Sequence, residues 1–312
     1  MKKLLSLFTL AAVMLAACSK TEEPGLPGGD AIVLKAGMPT AVAKPLSRSV
    51  IGGGDKFTAA VAGWESQTAV DYTAAARWST TAEITANVTA QTVTLAAEQV
   101  YNANNAVKTY MKAWYPQGTL SSGSVSFTGD ASYKGDGTDD VLLAAEVSGS
   151  KSDRNDKVLA FNHLTTQLQF KVVGEQSLEA ATNVTAITLK SVQVPSGIDL
   201  GTDQLTGAAA ADLTVPGFNA SVEIPIKNDD GEATPATAGE PVMILPLTGN
   251  TLKVDVTTDK VTYEDVTVTI DDDTDFQAGK AYEITLTFKQ FGIELSATVA
   301  EWNLGTGSGT VE

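Results

Sequence analysis

The stretch Lys280-Ala281-Tyr282-Glu283-Ile284-Thr285-Leu286-Thr287-Phe288-Lys289 decides the fold class. Every second residue from Tyr282 to Phe288 is large and mainly apolar, and the residues between them are glutamate or threonine. Successive side chains of a β-strand point to opposite faces, so this period of two predicts a strand with one buried and one solvated face. Such half-buried strands are typical of antiparallel sheets.

A second strand is predicted after the break at Gly292. Its apolar residues keep the same spacing and alternate with polar ones; they are Ile293, Leu295, Ala297 and Val299. Trp302 falls out of phase with that face, which predicts a bulge or bend near Glu301.

The rest of the chain has the same character. Short runs rich in Val, Thr and aromatic residues are separated by turn residues, and helical periodicity is almost absent. The sequence therefore predicts an all-β fold of antiparallel β-sandwiches, and 312 residues suffice for two of them. The polar stretch from Ser148 to Asp156 predicts the boundary, with an N-terminal domain over residues 31–152 and a C-terminal domain over residues 153–312.

The first residues predict export. Lys2 and Lys3 precede an uncharged run over residues 4–17 that is too short to cross a bilayer, which needs about 20 apolar residues. The run ends at Cys18, the only cysteine of the chain. We interpret Cys18 as the lipid-accepting residue of a bacterial lipoprotein, with a chance thiol as the alternative. Residues 1–17 are then a signal peptide, and residues 18–30 are a flexible tether rich in Gly and Pro.

Charge and residue usage exclude several functional classes. The formal net charge of -16 at pH 7 argues against binding to a nucleic-acid backbone. His163 is the only histidine, and its apolar, strand-like surroundings predict a hydrogen-bonded structural role. The acidic runs at residues 229–232 and 271–275 lack the spacing of a calcium loop and are expected to be solvated turns. We expect no catalytic residue, no metal site, no cofactor and no enzymatic activity.

Several short motifs, taken in order, resemble those of the fimbrillins, the type V pilin group of Bacteroidales. Besides the tetrad ending at Cys18, they are Ala113-Trp114-Tyr115-Pro116, Asp140-Val141-Leu142-Leu143-Ala144, Phe161-Asn162-His163-Leu164, Phe276-Gln277-Ala278-Gly279-Lys280 and Glu301-Trp302-Asn303. The resemblance implies two transthyretin-like β-sandwich domains and export as a lipoprotein to the outer membrane. It also implies assembly into a fimbria, or pilus, of the kind used in cell adhesion.

The same resemblance implies a route of assembly. In the family, a trypsin-like protease cuts at an arginine and removes the first strand, and the vacated groove receives a strand from the next subunit. Here the removed strand would be Ala31 to Lys35, and the cut would separate Arg48 from Ser49. The donor would be the stretch from Gly292 to Glu312, with Ile293, Leu295, Ala297, Val299 and Trp302 as its donor residues.

The segment before the expected cut has loop chemistry. Because of its prolines, Gly37-Met38-Pro39 is expected to be an exposed loop, as is the stretch up to Arg48. Arg77 and Arg154 are the other two arginines. By its pattern Arg77 is expected to be less accessible, and a cut at Arg154 is expected to separate the domains.

The expected partners follow from these interpretations. They are other pilin subunits, an arginine-specific protease and, before processing, the outer membrane through the lipid on Cys18; nucleic acid is not expected. One alternative is a surface lipoprotein that stays anchored and binds carbohydrate without polymerising, which needs an exposed aromatic platform. The tryptophans available for it are Trp64, Trp78, Trp114 and Trp302. Another alternative is a tip or anchor subunit of a pilus.

Overall fold

The computed structural model describes residues 30–39, 50–179, 181–270, 274–290 and 292–301. Within these ranges the chain forms 22 β-strands and no helix, which confirms the all-β class. The predicted signal peptide and Cys18 lie outside the described residues, as do Arg48, Ser49 and Trp302. The described part also contains no helix long and apolar enough to cross a membrane.

The strands follow one another with short connections. The first eleven are β1 (Leu34–Gly37), β2 (Lys56–Ser66), β3 (Trp78–Thr85), β4 (Gln91–Val93), β5 (Lys108–Tyr115), β6 (Thr119–Ser121), β7 (Ser124–Ser126), β8 (Leu142–Ala144), β9 (Val147–Gly149), β10 (Val158–His163) and β11 (Thr166–Gly174). The others are β12 (Asn183–Val192), β13 (Pro195–Asp199), β14 (Gln204–Gly207), β15 (Ala211–Thr214), β16 (Val222–Glu223), β17 (Ala236–Thr237), β18 (Val242–Ile244), β19 (Thr251–Thr258), β20 (Thr262–Thr269), β21 (Lys280–Lys289) and β22 (Gly292–Glu301).

An eight-stranded sheet forms most of the N-terminal half. Its order is β3-β2-β5-β8-β10-β1-β4, and β9 also pairs with β5. Just after β4, Leu95 pairs with Ala82 of β3, so the two ends of this order meet and the sheet curls on itself. One face of the curled sheet buries a core that includes Val61, Met111 and Phe161. Strand β1 is therefore one strand of a nearly closed, barrel-like sheet around that core.

The other face of the same sheet is covered by a four-stranded sheet of order β14-β13-β7-β6. There Trp64 and Trp114 pack with Val125 of β7 and Ile198 of β13. Because both faces of the large sheet are covered, β2 contains a continuous buried run, Ala59–Ala62, rather than an alternating one.

The C-terminal half is a sandwich of two five-stranded sheets. Their orders are β17-β11-β21-β22, with β18 also on β11, and β15-β12-β19-β20, with β16 also on β12. Side chains from both sheets share one core, which includes Phe170, Ile187, Val254 and Ile284.

Strand β21 is the stretch that decided the fold class, and its predicted inward face is confirmed. Tyr282, Ile284, Leu286 and Phe288 are all fully buried. The strand is antiparallel to β22, as predicted, but parallel to β11 on its other side. A parallel partner is possible because the long connection between β11 and β21 provides the crossover that parallel pairing needs. The expected bulge is not present up to Glu301, because the β21–β22 register runs without a shift from Gly292 to that residue.

Two segments beyond the predicted domain boundary belong to N-terminal sheets. Strand β10 lies between β8 and β1, and β13 pairs with β7. We therefore propose that the domains divide between β10 and β11, with the hairpin Pro195–Gly207 crossing back over that division. We call this hairpin, β13 with β14, the interdomain hairpin.

A buried lysine fastens the interdomain hairpin to the eight-stranded sheet. Lys112 of β5 has a side chain only 3% exposed, and its ammonium group binds the carboxylate of Asp203 in the hairpin. The same ammonium lies 4.4 Å from the ring centroid of Tyr72. The hydroxyl of Tyr133 also donates a hydrogen bond to the carbonyl oxygen of Pro195, at 2.5 Å.

Candidate functional site

Strand β1 is bound along both edges by strands far away in sequence. On one side it is parallel to β10, with Lys35 opposite Val158, and on the other it is antiparallel to β4, with Lys35 opposite Thr92. Hydrogen bonds extend this pairing beyond the strand ends. The Ile32 nitrogen donates to the Gln99 carbonyl at 2.8 Å, and the Met38 nitrogen donates to the Asn87 carbonyl at 2.8 Å. The bound segment therefore covers about residues 30–38, more than the predicted Ala31 to Lys35.

The inward face of this segment fills the N-terminal core. Four alternate side chains, Ile32, Leu34, Ala36 and Met38, are at most 5% exposed and belong to one cluster. Val33 and Lys35, which point the other way, are partly exposed. We call the space between β10 and β4 that this segment occupies the β1 groove. Its four inward positions take a large, a large, a small and a large side chain in turn.

Gly37 lies at the tightest point of the β1 groove. A Cβ atom at this position would be 2.9 Å from the Ala90 Cα and 3.1 Å from the Asn87 carbonyl oxygen. Glycine inside a strand often marks such a close backbone approach. The expectation that Gly37-Met38-Pro39 is an exposed loop is wrong for its first two residues, since Gly37 and Met38 are both buried and only Pro39 is exposed. The proline indicates where the strand ends, two residues later than expected.

Ion pairs at the rim add little to the binding of β1. Lys35 pairs with Asp156 at 3.1 Å, and Asp30 pairs with Lys151 at 2.8 Å. All four side chains are at least two-fifths exposed, so each pair contributes about 0–1 kcal/mol. The apolar side chains and the two ladders of backbone hydrogen bonds therefore hold the segment.

Tyr101 closes one end of the β1 groove. Its backbone nitrogen donates to the Asp30 carbonyl at 3.0 Å, and its ring belongs to the same core as Leu34. Burial raises the pKa of the Tyr101 hydroxyl to about 12. Among the described residues, this hydroxyl has no hydrogen-bond partner.

The first described residues after Ser49 are held against the rest of the protein by apolar contact and a hydrogen bond. Val50 is buried against Met243, and the Ile51 nitrogen donates to Asp140 Oδ2 at 3.1 Å. The other oxygen of Asp140 lies 2.9 Å from His163 Nδ1, and both side chains are buried. His163 therefore has the hydrogen-bonded structural position that the sequence predicts. Its contact with Asp140 holds the first described residues after Ser49 against the protein body.

The predicted donor is an edge strand of the C-terminal sandwich. Over all ten of its residues β22 pairs with β21, and it has no second partner strand among the described residues. Ala297 is buried, and Ile293 packs against the core. The side chains of Leu295 and Val299 lie outside the described set. The structure does not bring β22 of a subunit to its own β1 groove, since the two belong to different sheets.

Two of the tryptophans available for a carbohydrate platform are not at the surface. Trp64 and Trp114 are buried, and their indole nitrogens donate to the carbonyls of Ala74 and Gln117. They therefore cannot form an exposed carbohydrate platform. In the described ranges, no group of three or more His, Cys, Asp or Glu side chains is arranged to hold a metal ion.

Sequence reasoning missed two parts of the site. Gly37 could have been found, because a glycine beside the run Ile32 to Ala36 is a signal for close backbone approach. The anchoring of Ile51 by Asp140 had no local signal, since the two residues are 89 positions apart.

Comparisons with known proteins identify the family and a shared fold. The sequence model of the fimbrillin-like family matches residues 48–302. A solved structure of a candidate cell adhesion protein from Bacteroides uniformis is similar at a TM-score of 0.53 and 16% identity, over 88% of this chain and 100% of that one. The structure of a candidate cell adhesion protein from Bacteroides ovatus is similar at a TM-score of 0.52 and 14% identity, over 86% of this chain and 97% of that one. The structure of another from Parabacteroides distasonis is similar at a TM-score of 0.51 and 7% identity, over 89% of this chain and 99% of that one. At these identities the likeness shows the fold only. No curated protein matches the chain in sequence.

Proposed function

The chain belongs to the fimbrillin-like family, and from this we propose that it is a structural subunit of a type V pilus on the cell surface. In this proposal it is exported as a lipoprotein through residues 1–17 and Cys18. It then polymerises by strand exchange after proteolytic removal of its N-terminal strand. One observation carries the proposal: β1 is paired along both edges with strands far away in sequence, and Arg48 lies in the chain segment that connects it to β2.

Removal of β1 would leave a groove with strong affinity for another strand. The edges of β10 and β4 would lose their partners, and a row of unpaired N–H and C=O groups is a template for strand addition. The core would also lose its cover at four positions. Refilling a position with a large apolar side chain contributes on the order of 1.5–3 kcal/mol, before the cost of ordering the incoming strand.

Proteolysis is the step that makes exchange possible. In the uncut chain β1 is tethered, so its effective concentration at the groove is on the order of millimolar and no free subunit competes well. A cut after Arg48 leaves the described pairing of β1 with β10 and β4 in place, but it turns rebinding of the strand into a bimolecular event. The strand can then leave, and a donor from another subunit can take its place.

Arg48 suits this cut better than the other two arginines. Arg77 has an exposed side chain (69%), but its backbone nitrogen donates a hydrogen bond to the Gly63 carbonyl and the next residue begins β3. A protease needs unpaired backbone around the bond that it cuts. Arg154 directly follows the turn that the Ser150–Asp153 bridge closes, yet we expect that a cut there would not separate the halves. Its C-terminal product contributes β10 and the interdomain hairpin to the N-terminal sheets.

The proposed donor is the C-terminal stretch that contains β22. The β1 groove that receives this donor lies on another subunit, so each contact between subunits runs from head to tail. Because such contacts do not close into a ring, they produce a filament. The partners are therefore other pilin subunits, with an arginine-specific protease and, before processing, the outer membrane.

The test is digestion of residues 19–312 with an arginine-specific protease, followed by native electrophoresis and N-terminal sequencing. We expect a ladder of oligomers that begin at Ser49. The matched controls are Arg48→Ala, which should stay monomeric, and Arg154→Ala, which should polymerise like the unchanged protein. A monomer that begins at Ser49, or oligomers formed without any cut, would overturn the proposal.

A further inference from the structure

The removed strand and the proposed donor carry nearly the same series of apolar residues at alternate positions. The segment in the β1 groove reads Ile32, Leu34, Ala36 and Met38 at alternate positions, and the donor reads Ile293, Leu295, Ala297 and Val299 at the same spacing. We propose that a second copy of this chain is the partner of the groove and that its donor enters in one register, with Ile293 at the position of Ile32. This inference rests on the proposed function and adds the partner and the alignment.

The small third position selects this register. In the proposed alignment three of the four positions are identical, with alanine again at the third, and only Met38 changes, to valine. A shift of two residues toward the C-terminus of the donor would place Val299 at the Ala36 position and Ala297 at the fully buried Leu34 position. The opposite shift would place Leu295 at the Ala36 position and Ala297 at the Met38 position. Each shift overpacks one site and leaves a cavity at another, which weakens binding by roughly tenfold to a thousandfold.

A shift of one residue is excluded more strongly. It would turn Glu294, Ser296 and Thr298 toward the core, because the side chains of a strand alternate between its two faces. The charge of Glu294 would then be buried without a partner.

The backbone pairing also favours the exchange. In its own sandwich β22 is bound along one edge only, to β21. In the β1 groove the same strand would be bound along both edges, parallel to β10 and antiparallel to β4, as β1 is. Of the β22 side chains whose burial is described, Ala297 is buried and Ile293 packs against the sandwich core, so these two would exchange one apolar environment for another.

One position of the donor does not match the groove. In the proposed register Thr298 takes the place of Gly37, where a Cβ atom would meet the backbone of Ala90 at 2.9 Å. The turn at residues 87–90 must therefore move outward to accept the donor. Thr298 slows the exchange, and its removal should speed assembly.

Cysteine pairs test the register in cleaved residues 19–312, which lack the native cysteine. Lys35 is opposite Thr92, so Ser296 should be opposite Thr92 of the next subunit. The variant Thr92→Cys with Ser296→Cys should form an intermolecular disulfide under mild oxidation, because directly opposite residues bring their Cβ atoms about 5 Å apart. The matched control is Thr92→Cys with Thr298→Cys, which is two residues out of register. Uncut protein should give no cross-link with either pair.

The outcomes separate the register from the function. Oligomers that cross-link through the control pair, or through both pairs equally, would overturn the register while the pilus proposal stands. Failure of the unchanged protein to form oligomers after cleavage would overturn both. As a second readout, Thr298→Gly should assemble about tenfold faster than Ser296→Gly. Equal rates for the two variants would contradict the mismatch at Gly37.

Discussion

Leu34→Ala is the sharpest single test of whether side-chain packing retains β1 in its groove. Leu34 is 0% exposed, occupies the centre of the inward series and lies in a strand paired on both edges. Its truncation leaves the backbone pairing in place and removes buried apolar contacts only. The variant therefore separates side-chain packing from strand pairing.

The expected loss follows from burial. Truncating a fully buried leucine to alanine costs about 2–5 kcal/mol, and the enclosed position of Leu34 suggests a value of about 3 kcal/mol. In the uncut chain this loss lowers the free energy of unfolding of the N-terminal core. In the cut chain the same loss acts on one bound strand, and it weakens binding of that strand to the groove roughly a hundredfold.

Two assays measure these effects. Urea unfolding of uncut residues 19–312 gives the change in free energy of unfolding. Digestion at arginine, followed over time by mass spectrometry and native electrophoresis, gives the rates of peptide release and of oligomer formation. We expect Leu34→Ala to release its peptide and start assembly far sooner than the unchanged protein.

Lys35→Ala is the matched control. Lys35 is the next residue of the same strand, its side chain is 44% exposed, and its ion pair with Asp156 is worth at most about 1 kcal/mol. If Leu34→Ala and Lys35→Ala changed stability and release equally, packing in the groove would not be what retains β1, and the reasoning would be refuted.

Four further outcomes are expected. Gly37→Ala should lower the free energy of unfolding by about 1–3 kcal/mol, measured in urea, whereas Gly292→Ala, with nothing within 4 Å of its added Cβ, should change it little. Tyr101→Phe should flatten the alkaline loss of stability: the folded pKa of about 12 exceeds the unfolded value of about 10, so the unfolded state loses its proton first and stability falls between these pH values. A thermal scan at pH 8 and pH 11 checks this, and an unchanged pH dependence would contradict it. A nick at Arg154 should give two fragments that co-elute on size exclusion without denaturant, and separate elution would disprove the shared sheets. Lys112→Ala should cost about 1–3 kcal/mol in urea, because the buried lysine is the charged donor to the Leu200 carbonyl and to Asp203, whose side chain is 47% exposed; a loss below about 0.5 kcal/mol would contradict its role in holding the hairpin.

The sequence predicted local patterns well where one face of a strand is buried. The alternation from Tyr282 to Phe288 identified an inward face that the structure confirms, because period-two burial is a property of the strand itself. Alternation cannot identify an inward face at Ala59–Ala62, where both faces of the strand are covered and all four residues are buried. Family membership, inferred from short ordered motifs, is confirmed by the match over residues 48–302.

Pairing partners were the part that the sequence could not provide. The polar stretch from Ser148 to Asp156 has the composition of a linker, yet it connects β9 and β10, two strands of one sheet. Nothing near Val158 indicates that it pairs with Lys35, and nothing near Ile198 indicates that it pairs with Val125. Such choices are set by which surfaces remain to be covered after collapse, and this information is spread over the whole chain.

The position of β10 between β8 and β1 also fixes an order of events during synthesis. A chain that emerges from its N-terminus can pair β1 with β4 early, but it cannot pair the other edge of β1 until Val158–His163 has emerged, and it cannot complete the four-stranded sheet until Gln204–Gly207 has followed. Contacts between residues so far apart in sequence form slowly, because a long loop must close before they are made. The N-terminal half therefore stays incompletely folded through much of its synthesis, and β1, which is among the first segments to be made, gains its second partner strand only after β10 has emerged.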